Sequence, residues 1–153
     1  MKNAIYIVLM IGVVALLGFL GWKIIGNNDQ PVPAAEAPAA AKQMQNTTWQ
    51  WVSVTDQSTR VVTDVPIPKQ YTITFNSDGT LDGKADCNSF SGTYSMTNGV
   101  IITISTSTQA LCGANSMDQQ YLQLLASVVA GGPDGAGGLA LESAGGAQRM
   151  LFK

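Results

Sequence analysis

The sequence contains no histidine and little charge. Asp, Glu, Lys and Arg make up 12% of the 153 residues, against roughly 25% in an average soluble domain. Without histidine the chain lacks the commonest general base and the commonest zinc ligand, so a Ser-His-Asp triad is excluded. The net charge is −2 and the eight Lys and Arg residues form no cluster, which argues against a nucleic-acid partner. We expect neither enzyme activity nor a cofactor.

Carboxylates are also few, and one group of them has two interpretations. Asp78, Asp82 and Asp86 are spaced four residues apart. Such carboxylates could bind Ca²⁺ together with Asn76 and backbone carbonyls. However, Asn76 to Gly79 is an ordinary turn sequence. We favour the turn and expect no metal.

A long apolar run occupies the N-terminus. Residues 4–22 carry no charge, and two isoleucines extend the run beyond Lys23. A helix rises about 1.5 Å per residue and the hydrocarbon core of a bilayer is about 30 Å thick, so residues 4–25 predict a transmembrane helix after a short cytoplasmic end, residues 1–3. A cleaved signal peptide is the alternative. The run exceeds the usual apolar region of about 7–15 residues, and no small-x-small site follows it.

Small residues recur at every third position of this segment: Gly12, Ala15, Gly18 and Gly21. Small side chains let helices approach each other closely in lipid. Two interpretations are open: a packing surface for another membrane helix, or the ordinary glycine content of a transmembrane segment.

Residues 26–46, rich in proline and alanine, predict an extended stem. An alternative is that the alanines at positions 34–41 form a helix, and Pro38 weakens it.

From residue 47 onward the patterns are those of β-strands. Apolar and polar residues alternate over residues 71–75, the period of a half-buried strand. A turn is expected at residues 76–79, and Asn98-Gly99 predicts a hairpin with a type I′ turn. The expected strands are residues 49–54, 71–75, 80–86, 91–96, 100–105, 139–143 and 148–152.

The period changes to that of a helix near Ser116. Ser116 and Gln119 resemble a capping box, and apolar residues at helical intervals predict one helix over residues 117–129. The glycine-rich residues 131–138 predict a flexible loop. Six or seven antiparallel strands and one helix fit a mainly β (α+β) fold, a small curved sheet or barrel with the helix closing one end.

The order and spacing of these segments over residues 47–153 resemble the META domain family, also called HslJ-like. The segments that carry the resemblance are Trp49-Gln50-Trp51, residues 71–75 with Asp78-Gly79, Asp86-Cys87-Asn88, Gly92-Thr93-Tyr94, Thr108, Leu111-Cys112, the helix with Tyr121, Leu122 and Leu125, and the final hairpin ending at Leu151-Phe152. We take Trp49, Trp51, Asp86, Asn88, Gly92, Tyr94 and Thr108 as the family motif positions.

The resemblance implies a small lipocalin-like barrel, mostly exported and without an established enzyme activity. Some family members are linked to heat shock and envelope stress. This chain departs from the family in its anchor, because many relatives carry a lipid-modified cysteine or a cleaved signal.

The chain has two cysteines, Cys87 and Cys112, 25 residues apart. If the domain lies outside the cytoplasm, a structural disulfide is expected; two reduced core thiols are the alternative. This argument orients the chain in a bacterial cell membrane as a single-pass protein, with its N-terminus in the cytoplasm and residues 47–153 outside.

These features predict a non-catalytic, membrane-anchored module that binds other membrane protein subunits as a small accessory subunit of a larger assembly. The alternative is a barrel acting alone, in envelope stress or by binding a small ligand at an aromatic-lined mouth. A filament subunit is a third possibility, for which pilin-like processing signals are missing.

Overall fold

The computed structural model describes residues 36–153, with side chains described from residue 39 onward. The predicted transmembrane helix, with Gly12, Ala15, Gly18 and Gly21, lies outside the described residues, as does residue range 26–35 of the stem. Over residues 36–153, no helix is long and apolar enough to cross a membrane.

Nine strands and two α-helices make up the described residues. The helices are α1 (Glu36–Met44) and α2 (Asp118–Ala126). The strands are β1 (Thr48–Asp56), β2 (Val62–Asp64), β3 (Tyr71–Phe75), β4 (Thr80–Ala85), β5 (Asn88–Ser95), β6 (Ile101–Ser107), β7 (Val128–Pro133), β8 (Leu139–Ser143) and β9 (Gln148–Phe152). The expected strands are all present, and β2 and β7 are additional.

The strands form one antiparallel sheet in the order β6-β5-β4-β3-β1-β9-β8-β7, with β2 also paired to β1. β1 is long enough to serve both halves of this sheet. Its first residues pair with β3, and the residues from Trp51 onward pair with β9, with a register shift between Trp51 and Ser53. Ser53 to Thr55 also pair with β2. The sheet curls so that the two ends of this order approach each other, where the Val100 amide donates to the Val129 carbonyl at 3.1 Å. The result is a curled half-barrel.

The concave face of the half-barrel is filled by aromatic side chains around α2. Tyr121 stacks on Trp51 with ring centroids 5.0 Å apart and planes at 19°. The rings of Tyr71 and Phe90 meet Tyr121 edge-on at 5.7 and 6.0 Å. Tyr94 is half-buried. The other six aromatic residues of the strands are buried and belong to the core: Trp49, Trp51, Tyr71, Phe75, Phe90 and Phe152.

The expectation of an extended stem is wrong for residues 36–44, which form α1. Pro38 lies in the first turn of this helix. Amides of the first turn have no intrahelical acceptor, so a proline costs little there. Met44 at the other end is fully buried, and its carbonyl accepts a hydrogen bond from Trp49 Nε1 at 2.9 Å. These contacts join the helix to the sheet.

The predicted flexible loop at residues 131–138 is wrong in its first half, where β7 pairs with β8. The helix α2 ends at Ala126, three residues earlier than expected. A Cβ atom at Gly131 would lie 2.7 Å from the Ala140 carbonyl oxygen. Glycine is therefore needed here for close approach between strands and does not mark flexibility.

The Asn98-Gly99 turn joins β5 to β6 as expected, but it is not of type I′. That type requires a positive φ at both central residues. Here Gly99 has a φ of 94° and Asn98 is not in the left-handed region. The turn is packed against β7, where the following residue, Val100, bonds to the Val129 carbonyl.

The hydroxyl of Tyr121 is buried without a hydrogen-bond partner, the one such side-chain atom among the described residues. Burial raises the pKa of Tyr121 well above its ordinary value. By contrast, the Tyr71 hydroxyl accepts a hydrogen bond from the Met117 amide at 2.8 Å. Tyr71 and Tyr121 are thus in contact, but of the two only the Tyr71 hydroxyl has a hydrogen-bond partner.

We expect Tyr121→Phe to leave the free energy of unfolding unchanged or raise it by up to about 1 kcal/mol, since it removes an unpaired polar group. The matched variant Tyr71→Phe should lower it by about 1 kcal/mol through loss of the bond to the Met117 amide. Urea unfolding of both variants measures the difference. A larger loss for Tyr121→Phe than for Tyr71→Phe would contradict this account.

Candidate functional site

A disulfide joins Cys87 to Cys112, with 5.7 Å between their Cα atoms. Both cysteines of the chain are in this bond, which confirms the prediction of a disulfide. Cys87 lies in the turn between β4 and β5, and Cys112 lies in the segment between β6 and α2. We call that segment, residues 108–117, the disulfide loop.

The side chain of Asn88 is hydrogen-bonded to the disulfide loop. Its Oδ1 accepts hydrogen bonds from the Ala110 amide at 2.8 Å and from Thr108 Oγ1 at 3.0 Å. Its Nδ2 lies 3.1 Å from both the Ala110 carbonyl and Asp118 Oδ2. The side chain is 3% exposed. One buried amide therefore satisfies backbone groups of the loop and meets the first residue of α2, as buried polar groups generally must.

Asp86 shapes the turn that delivers Cys87 to the loop. Its φ is 58°, a left-handed conformation that Asp and Asn adopt more readily than most residues. The Asp86 amide donates to the Gln70 carbonyl at 2.8 Å. This motif position therefore shapes the backbone of the turn, and the residue is half-buried.

The start of α2 differs from the predicted capping box. The N-cap residue is Met117, which makes no side-chain cap. Ser116 instead bonds to Asp118, accepting from its amide and donating to its carboxylate, both at 3.2 Å. Gln119 takes no part in these bonds. The Tyr71 hydroxyl accepts from the Met117 amide, so the sheet supplies a cap that sequence could not show.

The remaining motif positions lie away from the loop. Trp49 and Trp51 belong to the core. A Cβ at Gly92 would lie 3.0 Å from the Ile104 Cα, so this glycine allows β5 and β6 to approach closely. The Tyr94 hydroxyl donates to the Asn76 carbonyl at 2.7 Å and accepts from Gln45 Nε2 at 2.8 Å. Of the motif positions, Asp86, Asn88 and Thr108 meet at the disulfide loop and these four do not.

Asp78, one of the candidate calcium ligands, is a turn residue. Its Oδ1 accepts bonds from the Thr80 hydroxyl at 2.7 Å and the Thr80 amide at 2.9 Å. Both bonds lower the pKa of Asp78, and the bond from the Thr80 hydroxyl has the larger effect. Asp82 accepts from Asn76 Nδ2 at 3.1 Å. Residues 36–153 contain no group of three His, Cys, Asp or Glu side chains placed to hold a metal ion.

Leu111 stands fully exposed at the tip of the disulfide loop. Sequence reasoning used it only as part of the family resemblance. Two surface grooves border the loop. One, of about 520 Å³, is lined by residues that include Ile67, Asp86 and Ser116. The other, of about 470 Å³, is lined by residues that include Leu122, Asp118 and Leu111 itself. The sequence feature that could have indicated Leu111 is a large apolar residue directly before a cysteine that lies in a loop.

The META domain family matches residues 42–153, more than half of the chain. The chain belongs to the META domain family. The match begins five residues before the domain start predicted at residue 47.

Two solved structures share the META-domain chain's fold. A protein from Burkholderia xenovorans, determined by NMR, has a TM-score of 0.60 at 22% identity, covering 85% of this chain and 97% of that one. A crystal structure of a DUF4847 family protein from Bacteroides vulgatus has a TM-score of 0.53 at 18% identity, covering 71% and 92%. At these identities the likeness concerns the fold. No curated protein matches this chain.

We expect Asn88→Asp to lower the free energy of unfolding at pH 7 by about 2 kcal/mol or more, because it replaces a donor to Asp118 by a second carboxylate. Protonation of the carboxyl introduced at position 88 relieves its repulsion with Asp118, so the deficit should shrink as the pH falls towards 5. The double variant Asn88→Asp/Asp118→Asn restores a carboxylate–amide pair and should recover part of the loss. Urea unfolding at pH 5 and 7 measures both effects. An equal deficit at the two pH values would contradict the proposed pairing.

The disulfide closes a loop of 25 residues in sequence. In the chain-entropy description this constrains the unfolded chain, so Cys87→Ala/Cys112→Ala should lower the free energy of unfolding by about 3 kcal/mol.

Labelling the denatured but unreduced protein with a thiol reagent should find no free cysteine. Two labelled thiols in protein taken from its native compartment would contradict the bond.

Proposed function

We propose that this META domain is a non-catalytic binding module and acts as a small accessory subunit of a membrane assembly. The observation that carries the proposal is the state of Leu111. The Leu111 side chain is fully exposed, whereas the backbone of its loop is held by the disulfide at Cys112 and by a hydrogen bond between Ala110 and the buried Asn88. Ordering a loop in advance lowers the entropy cost of binding.

The packing of the interior favours a surface as the binding site. Trp51, Tyr121 and Phe152 are fully buried on the concave face. The space that a lipocalin-type protein would offer to a ligand is here occupied by the ring of Tyr121 and its neighbours. A small ligand is the second candidate, favoured by the groove of about 520 Å³ beside Ile67, a size within the usual range for ligand sites.

The anchor and the location rest on sequence and redox chemistry. The charge-free run at residues 4–22 is long enough for a membrane span. A disulfide is typical of an oxidising compartment, which supports an extracytoplasmic domain and a cytoplasmic N-terminus. The small residues Gly12, Ala15, Gly18 and Gly21 would let the anchor helix pack against other membrane subunits.

The full chain extracted from native membranes tests this function. The chain should stay in the membrane fraction after extraction with alkaline carbonate. Protease added outside intact spheroplasts should cleave its extracytoplasmic domain. In mild detergent the chain should migrate with a mass above that of the monomer. A soluble chain that begins beyond Trp22, or a strict monomer under gentle extraction, would overturn the proposal.

A further inference from the structure

The disulfide loop lies at the end of the half-barrel opposite to the point where the chain enters it. β3 runs from Tyr71 to Phe75, and Tyr71 pairs with Ala85, next to the turn that carries Cys87. At the other end of β3, Phe75 forms a bridge with Gln45, immediately after α1. The strands between these ends have five to eight residues. At about 3.3 Å per residue the two ends are roughly 15–25 Å apart.

The charged residues that line the two grooves beside Leu111 are both acidic. Asp86 lines one groove and Asp118 the other. Neither groove is lined by a lysine or arginine of the described residues. Lys69 and Lys84 are exposed on neighbouring elements at this end but line neither groove. Within residues 36–153 the ion pairs are Arg149–Glu142 and Lys153–Asp134, so Asp86 and Asp118 have no cationic partner there.

We infer that the disulfide loop docks onto the extracytoplasmic domain of a neighbouring protein. Leu111 enters an apolar pocket of that domain, and Lys or Arg side chains at the pocket rim face Asp86 and Asp118. Exposed Leu111 and Ile67 supply the apolar contact, and the two carboxylates select a basic rim by charge complementarity. This rests on the proposed function, since it takes the partner from the same membrane assembly.

A lipid surface fits these features poorly. Anionic headgroups attract basic segments, whereas the carboxylates of Asp86 and Asp118 border the apolar tip. A folded protein partner with a basic rim matches the charge of the two carboxylates.

Photo-crosslinking in native cells tests the inference on the full chain. A benzoyl-phenylalanine at position 111 should form an adduct with another protein. The same group at position 77, exposed in the turn at the opposite end, is the matched control and should not form that adduct. Mass spectrometry of the crosslinked peptide should find Lys or Arg beside apolar residues.

Charge variants decide whether the adduct reflects the proposed contact. Asp86→Asn, which keeps the left-handed backbone, should lower the adduct yield about two- to fivefold. The control Asp64→Asn, on the exposed strand β2, should leave the yield unchanged. Asp86→Lys should abolish the adduct, and Lys→Glu or Arg→Glu at the identified partner residue should restore it. Circular dichroism checks that each variant is folded.

Other outcomes overturn the inference. One is an adduct with phospholipid, either in cells or in vesicles of phosphatidylcholine and phosphatidylglycerol. The others are an adduct between two copies of this chain, no adduct at all, and an adduct whose yield does not change when Asp86 is substituted. If the chain is anchored and part of a complex while position 111 gives none of the expected adducts, the docking surface fails and the proposed function stands. If the chain is soluble and monomeric, the proposed function itself fails.

Discussion

The stacking of Tyr121 on Trp51 is the contact on which the arrangement of this domain depends. α2 has only nine residues, and a helix of that length is unstable alone in water. It persists because Tyr121 and Leu125 are fully buried against the concave face of the sheet. Once α2 is placed there, its first residues lie next to Asn88 and Tyr71. The position of the disulfide loop therefore follows from aromatic packing in the interior.

Two devices then order the loop by different physical means. The disulfide acts largely by restricting the unfolded chain. Asn88 acts in the folded state, where its amide pairs with the loop backbone at Ala110. Neither device covers Leu111. The loop backbone is thus held at Ala110 and Cys112 while its apolar tip is exposed. This combination would lower the entropy cost of the proposed docking and leave apolar area to be buried.

The aromatic residues and the glycines have structural roles that sequence patterns describe only in part. Residues that could have lined a ligand site, such as Trp51 and Phe75, fill the interior instead. Gly92 and Gly131 allow neighbouring strands to approach closely.

Local chemistry in the sequence determined the strands with clear alternation, the turn at Asn76–Gly79, a helix near Tyr121 and the presence of two cysteines able to pair. These features are set by neighbours along the chain, so a pattern reveals them. Tertiary structure alone decided that Gly131 belongs to a strand, that α1 forms despite Pro38, and that Tyr71 caps α2. It also decided that Asn88 meets Ala110 and Asp118 while Leu111 faces solvent. Each of these depends on residues brought together by the curl of the sheet, and the free energy of such contacts is not encoded in any local pattern.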